Sequence, residues 1–205
     1  MKKHDDRRAV KAAAANILAL YLDAPEVTQE AGARWYALER ERCAAFAAKH
    51  GRTLRDVAGA AAAISPGMRW EFVFAHLSAL RASPKARVPT YSRVFVERAL
   101  RCFAGEDPDV VLSGPKVRAF YALLSGADFD AVVIDGHAWN IARGEFEVFR
   151  RRPGYVPSSA SRVTARRYRI AVAAYREVAE VLGLAPHAVQ ATTWIHWRAL
   201  TARKG

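Results

Sequence analysis

Hydrophobic positions recur at helical spacing over most of the chain. Apolar side chains return every three or four residues on one face, a spacing that predicts amphipathic helices rather than strands. The segments with this pattern are 8–22, 29–49, 53–63, 69–81, 91–104, 116–124, 136–143, 164–182 and 186–202. With one short helix near Asp107–Leu112, the pattern predicts an all-α fold of about ten helices and no sheet.

Capping residues mark the ends of several of these helices. Thr53 is followed three residues later by Asp56, as in a capping box. Gly105 stands where a helix ends, and Asp107-Pro108 is typical of a helix start. Ser113-Gly114-Pro115 predicts a tight turn between the short helix and the helix that begins at Lys116.

The pattern predicts one domain that spans residues 1–205. We expect helices in 1–64 to pack with the C-terminal helices, and 65–143 to form the core that carries the turn. Residues 144–205 contain a basic, irregular loop and the last two helices. A short apolar run, Val132–Ile134, leads directly into the helix at 136–143.

The charge of the chain changes this picture from a generic helical protein to one with a polyanionic partner. Thirty-two Lys and Arg stand against twenty Asp and Glu, which leaves a net charge of +12. Most of the cations are arginines, whose planar guanidinium suits phosphate. Nucleic acid is the usual polyanion, although an acidic membrane or protein, or simply a solvated surface, would also accommodate this charge.

Several function classes are excluded by what the sequence lacks. No apolar stretch approaches the roughly 20 residues of a membrane helix, and the charged N-terminus lacks the core of a signal peptide. The two cysteines, Cys43 and Cys102, are too few for a disulfide framework or an iron–sulfur site. We therefore expect a soluble, cytoplasmic monomer that uses no metal and no cofactor.

Three segments between residues 70 and 143 carry a family resemblance. The first is the apolar run Trp70–Ala79, which ends in Leu-Ser-Ala, and the second is Tyr91-Ser92-Arg93 at the start of a helix. The third is Leu112–Lys116, followed by Val133-Ile134-Asp135-Gly136-His137. In order and spacing these segments resemble the helix-hairpin-helix DNA glycosylases, with a shorter hairpin and without the cysteines of the iron–sulfur members.

The resemblance implies a chemistry for the matched positions. Backbone N–H groups of the hairpin, at Ser113 and Gly114, would approach a DNA phosphate. Asp135 would supply the anion that stabilises positive charge on the sugar as the glycosidic bond breaks. Lys116 would stand where some members hold a lysine nucleophile that forms a Schiff base. We expect Asp135 to face the same cleft as Lys116.

Further residues are assigned by their place around these motifs. The flipped-out base would meet a pocket formed by Tyr91, His137, Trp139 and Asn140. Cations near the motifs would contact the DNA backbone of a double-stranded, possibly base-modified substrate: Arg81, Lys85, Arg87, Arg93, Arg118, Arg150, Arg151, Arg152, Arg166 and Arg167.

Each assignment has a structural alternative. Asp135 could only cap the following helix, and Lys116 could be a phosphate contact or an ordinary first-turn lysine. Pro115 has no N–H to offer a phosphate. The hairpin is about two residues shorter than in the family, which changes the reach of Lys116 to the sugar and favours a monofunctional enzyme. His137 and Trp139 could be structural, and Tyr91 could stack on a base or merely pack.

Three functions follow from the resemblance and stay open at this stage. The first is a DNA glycosylase that hydrolyses the N-glycosidic bond of a damaged or modified base, in repair or in defence against phage DNA. The second is a transferase that modifies a DNA base on the same scaffold. The third is a helix-hairpin-helix module that binds DNA without catalysis. An acidic residue at position 135 favours an enzyme.

Overall fold

The computed structural model describes residues 2–89, 92–145 and 163–202, and all regular structure in these ranges is helical. The predicted all-α fold of about ten helices is confirmed. The helices of the described residues are α1 (Lys2–Asp23), α2 (Glu26–Lys49), α3 (Leu54–Ile64), α4 (Val73–Ala82), α5 (Arg93–Phe103), α6 (Pro108–Val111), α7 (Pro115–Ser125), α8 (Gly136–Ala142), α9 (Ala165–Leu182) and α10 (Pro186–Ala202).

Helix starts follow the capping signals of the sequence. The N–H of Asp56 donates to Thr53 Oγ1 at 3.2 Å, and the N–H of Thr53 donates to Asp56 Oδ2 at 2.9 Å, so the predicted capping box at α3 is present. Asp107 caps α6 through a 3.1 Å bond from the N–H of Asp109. Gly105, just past α5, has a φ of +98°, which favours glycine over other residues.

One helix begins differently from the pattern. The apolar run from residue 69 opens with a 3-10 turn, Trp70–Phe72, and only then continues as α4. The side chain of Arg69, just before the turn, makes no capping hydrogen bond, and Phe72 is 48% exposed. Apolar spacing alone does not distinguish a tighter turn from an α-helical one, which is why the sequence predicted one helix here.

The described chain forms two compact units. The first contains Met1–Trp35 and Val132–Gly205, and the second contains Tyr36–Ala131. The boundary at Trp35 and Tyr36 falls within α2, and the next helix in the chain is α3. It lies in the second unit, where its residues Val57–Ile64 are all buried against α4, α5, α6 and α7.

The first unit is built from α1, α8, α9 and α10, each of which contacts the other three. Ile17, Tyr175 and Trp197 are among its most buried side chains. The segment that enters α8, Val132–Ile134, is buried and has no regular secondary structure. It fixes where α8 starts, and therefore where Asp135 stands.

The second unit is arranged around α3. Gly59 of α3 lets Pro108, the first residue of α6, approach closely, because a Cβ at Gly59 would stand 2.8 Å from Pro108 Cγ. A larger side chain at position 59 would push α6 away. The sequence of α3 thus sets the position of the first helix of the hairpin.

Candidate functional site

The predicted hairpin is present as α6, a three-residue turn and α7. Leu112 ends α6 by donating its N–H to the carbonyl of Pro108 at 2.9 Å. Gly114 then takes a φ of +85°, and an added Cβ there would meet no atom within 4 Å. Ser113 and Gly114 are exposed, so the tip of the hairpin stands open to a ligand.

The start of α7 leaves backbone donors available. In the described chain no acceptor receives a hydrogen bond from the N–H groups of Gly114, Lys116 or Val117. Pro115, at the first helical position, has no N–H to satisfy. A helix N-terminus with free donors favours an anion. Free N–H groups at the start of a helix are what the predicted phosphate contact requires. Pro115 makes their number smaller by one.

Two arginines hold the short helix α6. From α7, Arg118 donates its Nε to the carbonyl of Leu112 at 3.1 Å and its Nη2 to that of Asp109 at 3.3 Å. From α3, Arg55 donates its Nη2 to the carboxylates of Asp107 and Asp109 at 2.9 and 2.8 Å. Its Nε also donates to the hydroxyl of Tyr121 at 2.9 Å. Arg118, which the sequence assigns to DNA, therefore has two donors engaged within the hairpin.

Lys116 is the second residue of α7 and is half-buried. It forms no ion pair with any residue of the described ranges. Its ammonium group therefore has no carboxylate partner in the described chain. Lys116 belongs to the second unit and Asp135 to the first, so the cleft expected to join them stays a prediction.

Asp135 is the N-cap of α8. Its Oδ1 accepts a 2.9 Å hydrogen bond from the N–H of Ala138, and the residue is half-buried. Its Oδ2 has no hydrogen-bond partner in the described chain. The capping role that the sequence offered as an alternative is confirmed. The capping bond leaves Oδ2 available to interact with a ligand.

The negative charge of Asp135 affects the pKa of a tyrosine in the core of the first unit. Burial raises the pKa of the Tyr175 phenol, a hydrogen bond with Thr193 opposes that rise, and the negative charge of Asp135 adds to it. Tyr175 is fully buried, and its hydroxyl lies 3.3 Å from Thr193 Oγ1. Asp135 is half-buried and directly follows the buried Ile134, so it lies at the edge of a low-dielectric interior, where a charge acts more strongly than in water.

The residues predicted to line a base pocket are mostly packed in the core of the first unit. Trp139 is 8% exposed, with the guanidinium of Arg167 5.6 Å from its ring centre, and Asn140 is 1% exposed. His137 is half-buried and stacks on Trp197, with ring centres 4.8 Å apart. The burial of these residues follows from the packing of α8. Because α8 has α1, α9 and α10 as neighbours, most of its side chains face the core. Tyr91 lies outside the described residues.

The predicted DNA-contacting cations are largely on the surface. Arg81, Lys85, Arg87 and Arg93 are exposed, in α4, in the loop that follows it and at the start of α5. Arg166 is also exposed, but it donates to Asp6 at 2.6 Å. The run Arg150, Arg151 and Arg152 lies outside the described residues.

Sequence reasoning missed the network of Arg55. An arginine in the first turn of a helix is common, and nothing in the local pattern indicates that it bonds a carboxylate more than fifty residues away. The only signal was indirect: two aspartates, Asp107 and Asp109, stand at the start of a four-residue helix that cannot be stable alone. Such a helix needs a partner from elsewhere in the chain.

Features of other protein classes do not appear in the described chain. No described helix is long and apolar enough to cross a membrane. No three described His, Cys, Asp or Glu residues are grouped so that they could hold a metal ion. Cys43 and Cys102 are buried free thiols, and burial raises the pKa of each to about 12. Neither is a reactive nucleophile at neutral pH.

Comparison with known proteins gives one match. No curated protein and no solved structure matches the chain. Residues 1–201 match a protein family whose description is "Family of unknown function (DUF7178)". The match spans both units and includes Lys116 and Asp135. The chain belongs to this family of unknown function, DUF7178.

Proposed function

We propose that this protein is a DNA glycosylase that removes a damaged or modified base by hydrolysis. The carboxylate of Asp135 carries the proposal. One of its oxygens is fixed by the N–H of Ala138 at 2.9 Å, while the other has no partner in the described chain. A carboxylate that is held in place before the reaction, beside a buried interior, suits the stabilisation of a developing cation.

The proposed reaction is an N-glycosidic hydrolysis. The bond between C1′ of the sugar and the base nitrogen breaks, and its electron pair leaves with the base. Asp135 stabilises the oxocarbenium ion that remains on the sugar. Water adds hydroxide to C1′, and its proton goes to the departing base. The products are an abasic site and a free base, and no redox partner is needed.

The hairpin supplies the second line of support. Its exposed tip and the free N–H groups of Gly114, Lys116 and Val117 suit one phosphate of the DNA backbone. The net charge of +12 suits a polyanionic duplex. In this account Lys116 is a phosphate contact and the enzyme is monofunctional, with water as the nucleophile.

A screen of duplexes tests the proposal. The protein is incubated with plain duplexes and with duplexes that carry a range of damaged and modified bases, and each product is analysed by mass spectrometry. Loss of a base that leaves an abasic site supports the glycosylase. Gain of mass on a base would indicate a transferase, and binding without any change of mass would indicate a binding module. Either of these would replace the proposal.

A further inference from the structure

A groove lies between α1 and α9 in the first unit. Its volume is about 790 Å³, within the range of ligand sites. Arg7 and Lys11 line it from α1, and Arg169 and Arg176 line it from α9. Cations on two different helices therefore face the same space.

Three of these cations have no carboxylate partner. Arg7, Lys11 and Arg169 are exposed and form no ion pair with a residue of the described ranges. The neighbouring Arg166 does form one, with Asp6. Like charges four residues apart on a helix, as at positions 7 and 11, are destabilising. Placing a third cation opposite them does not help the fold, but it does suit an anionic ligand.

The groove is asymmetric along α9. Glu177 and Glu180 line it toward the C-terminus of the helix, which leaves the excess of positive charge at the N-terminal end. The apolar residues that line the groove, which we call its floor, are the half-buried Val172 and the exposed Ala173. Tyr168 borders the positive end, where its hydroxyl donates to the carbonyl of Val132 at 3.0 Å. A ligand here would meet cations on both walls and an apolar floor.

We infer that the positive end of this groove binds the phosphodiester backbone of DNA through Arg7, Lys11 and Arg169. Two of the three are arginines, whose planar donors match phosphate, and the apolar floor suits the sugars between phosphates. Arg169 is exposed, and Asp135 is not among the residues that line the groove. The groove would thus hold a stretch of DNA other than the nucleotide that reacts.

This inference rests on the proposed DNA partner, and a binding measurement tests it without any need for base release. The affinity for a plain duplex is measured over a series of salt concentrations. The test variant is Arg7→Gln/Arg169→Gln, which removes one cation from each wall. The control is Arg34→Gln/Lys49→Gln, which removes two exposed cations outside the groove. Circular dichroism checks that all variants stay folded.

Each lost phosphate contact lowers the slope of log affinity against log salt by about one unit. We expect the groove variant to lose about two units and the control to keep the parental slope. An unchanged slope in the groove variant, or equal losses in both variants, would overturn the inference.

Two further outcomes distinguish DNA binding by the groove from the proposed glycosylase activity. If the parent protein binds DNA and loses slope in the groove variant but releases no base, the groove stands and the glycosylase fails. If the groove variant instead loses binding to a polyglutamate peptide while its DNA slope is unchanged, the groove serves an acidic protein and the inference is wrong. A parent protein that does not bind DNA at all would overturn both.

Discussion

At the scale of single residues, Asp135 uses one carboxylate oxygen, Oδ1, to cap a helix and keeps the other, Oδ2, without a described donor. The position was predictable, because an aspartate between an apolar run and a helical segment is a typical cap. The packing of α9 and α10 against α8, which buries Tyr175 in the same core as Ala138, was not predictable, because these helices lie far away in the sequence.

The role of Lys116 gives a prediction at this scale. Lys116→Ala is expected to keep base release while binding DNA more weakly, because the proposed reaction uses water and not an amine as nucleophile. No strand cleavage is expected in the parent or in the variant. Borohydride trapping with a substrate duplex measures this directly, because it captures a Schiff base as a covalent adduct.

Lys49→Ala is the control for that experiment. It removes an exposed lysine from the end of α2, in the same unit as Lys116. If the parent forms a trapped adduct that persists in Lys49→Ala but disappears in Lys116→Ala, the lysine is a nucleophile and the monofunctional mechanism is wrong.

At the scale of elements, the hairpin depends on residues outside it. The helix α6 has only four residues, so its shape comes from Arg118, from Arg55 and from the close approach of Pro108 to Gly59. Local sequence was enough to predict the helices, the caps and the turn, since these signals lie within a few residues of one another. The hydrogen bonds from Arg55 to Asp107 and Asp109, called the clamp below, and the 3-10 turn before α4 were not predictable, because they depend on packing between distant segments.

This arrangement predicts that Arg118 and Arg55 position the hairpin rather than bind DNA. Arg118→Gln and Arg55→Lys should both weaken DNA binding, and both should leave its salt slope unchanged because no phosphate contact is lost. The cost in stability should be small, because the ion pairs of Arg55 are half-exposed and solvent screens them. Hydrogen exchange should speed up at the N–H groups of Leu112 and Arg118, which close the turn.

Arg101→Gln is the matched control for the clamp. It breaks an exposed pair with Glu106, 2.6 Å apart, just before α6. Exchange at Leu112 should stay at the parental rate in this variant. A salt slope that falls by about one unit in Arg118→Gln would instead identify Arg118 as a phosphate contact, as the sequence first indicated.

At the scale of the whole molecule, buried acidic protons couple the stability of the protein to pH. Burial raises the pKa of Cys43 and Cys102 from 9.0 to about 12, and that of Tyr168 from 10.0 to about 12. In the unfolded chain these groups ionise at the lower values, while in the folded protein they stay protonated. Their contribution to stability is therefore complete below about pH 9 and is lost as pH rises toward 12.

We expect the free energy of unfolding to begin falling near pH 9, where the two thiols ionise in the unfolded chain and stay protonated in the folded protein. Urea titrations between pH 7 and pH 11 measure this fall. In Cys43→Ala/Cys102→Ala the fall should begin about one pH unit later, when the tyrosines of the unfolded chain ionise. Equal slopes for parent and variant between pH 9 and pH 10 would show that the thiols ionise freely in the folded protein.

The most direct test of the proposed function is the rate of base release by Asp135→Asn. The asparagine oxygen can still cap α8, so the variant should fold and bind DNA, but it lacks the negative charge opposite the sugar cation. Asp128→Asn is the control, because it removes the same charge from an exposed turn in which Asp128 accepts from the N–H of Asp130 at 2.8 Å. On a substrate found in the duplex screen, Asp135→Asn should release the base about 10²–10³ times more slowly than the parent, and Asp128→Asn at the parental rate. A folded, DNA-binding Asp135→Asn that excises at the parental rate would contradict the account.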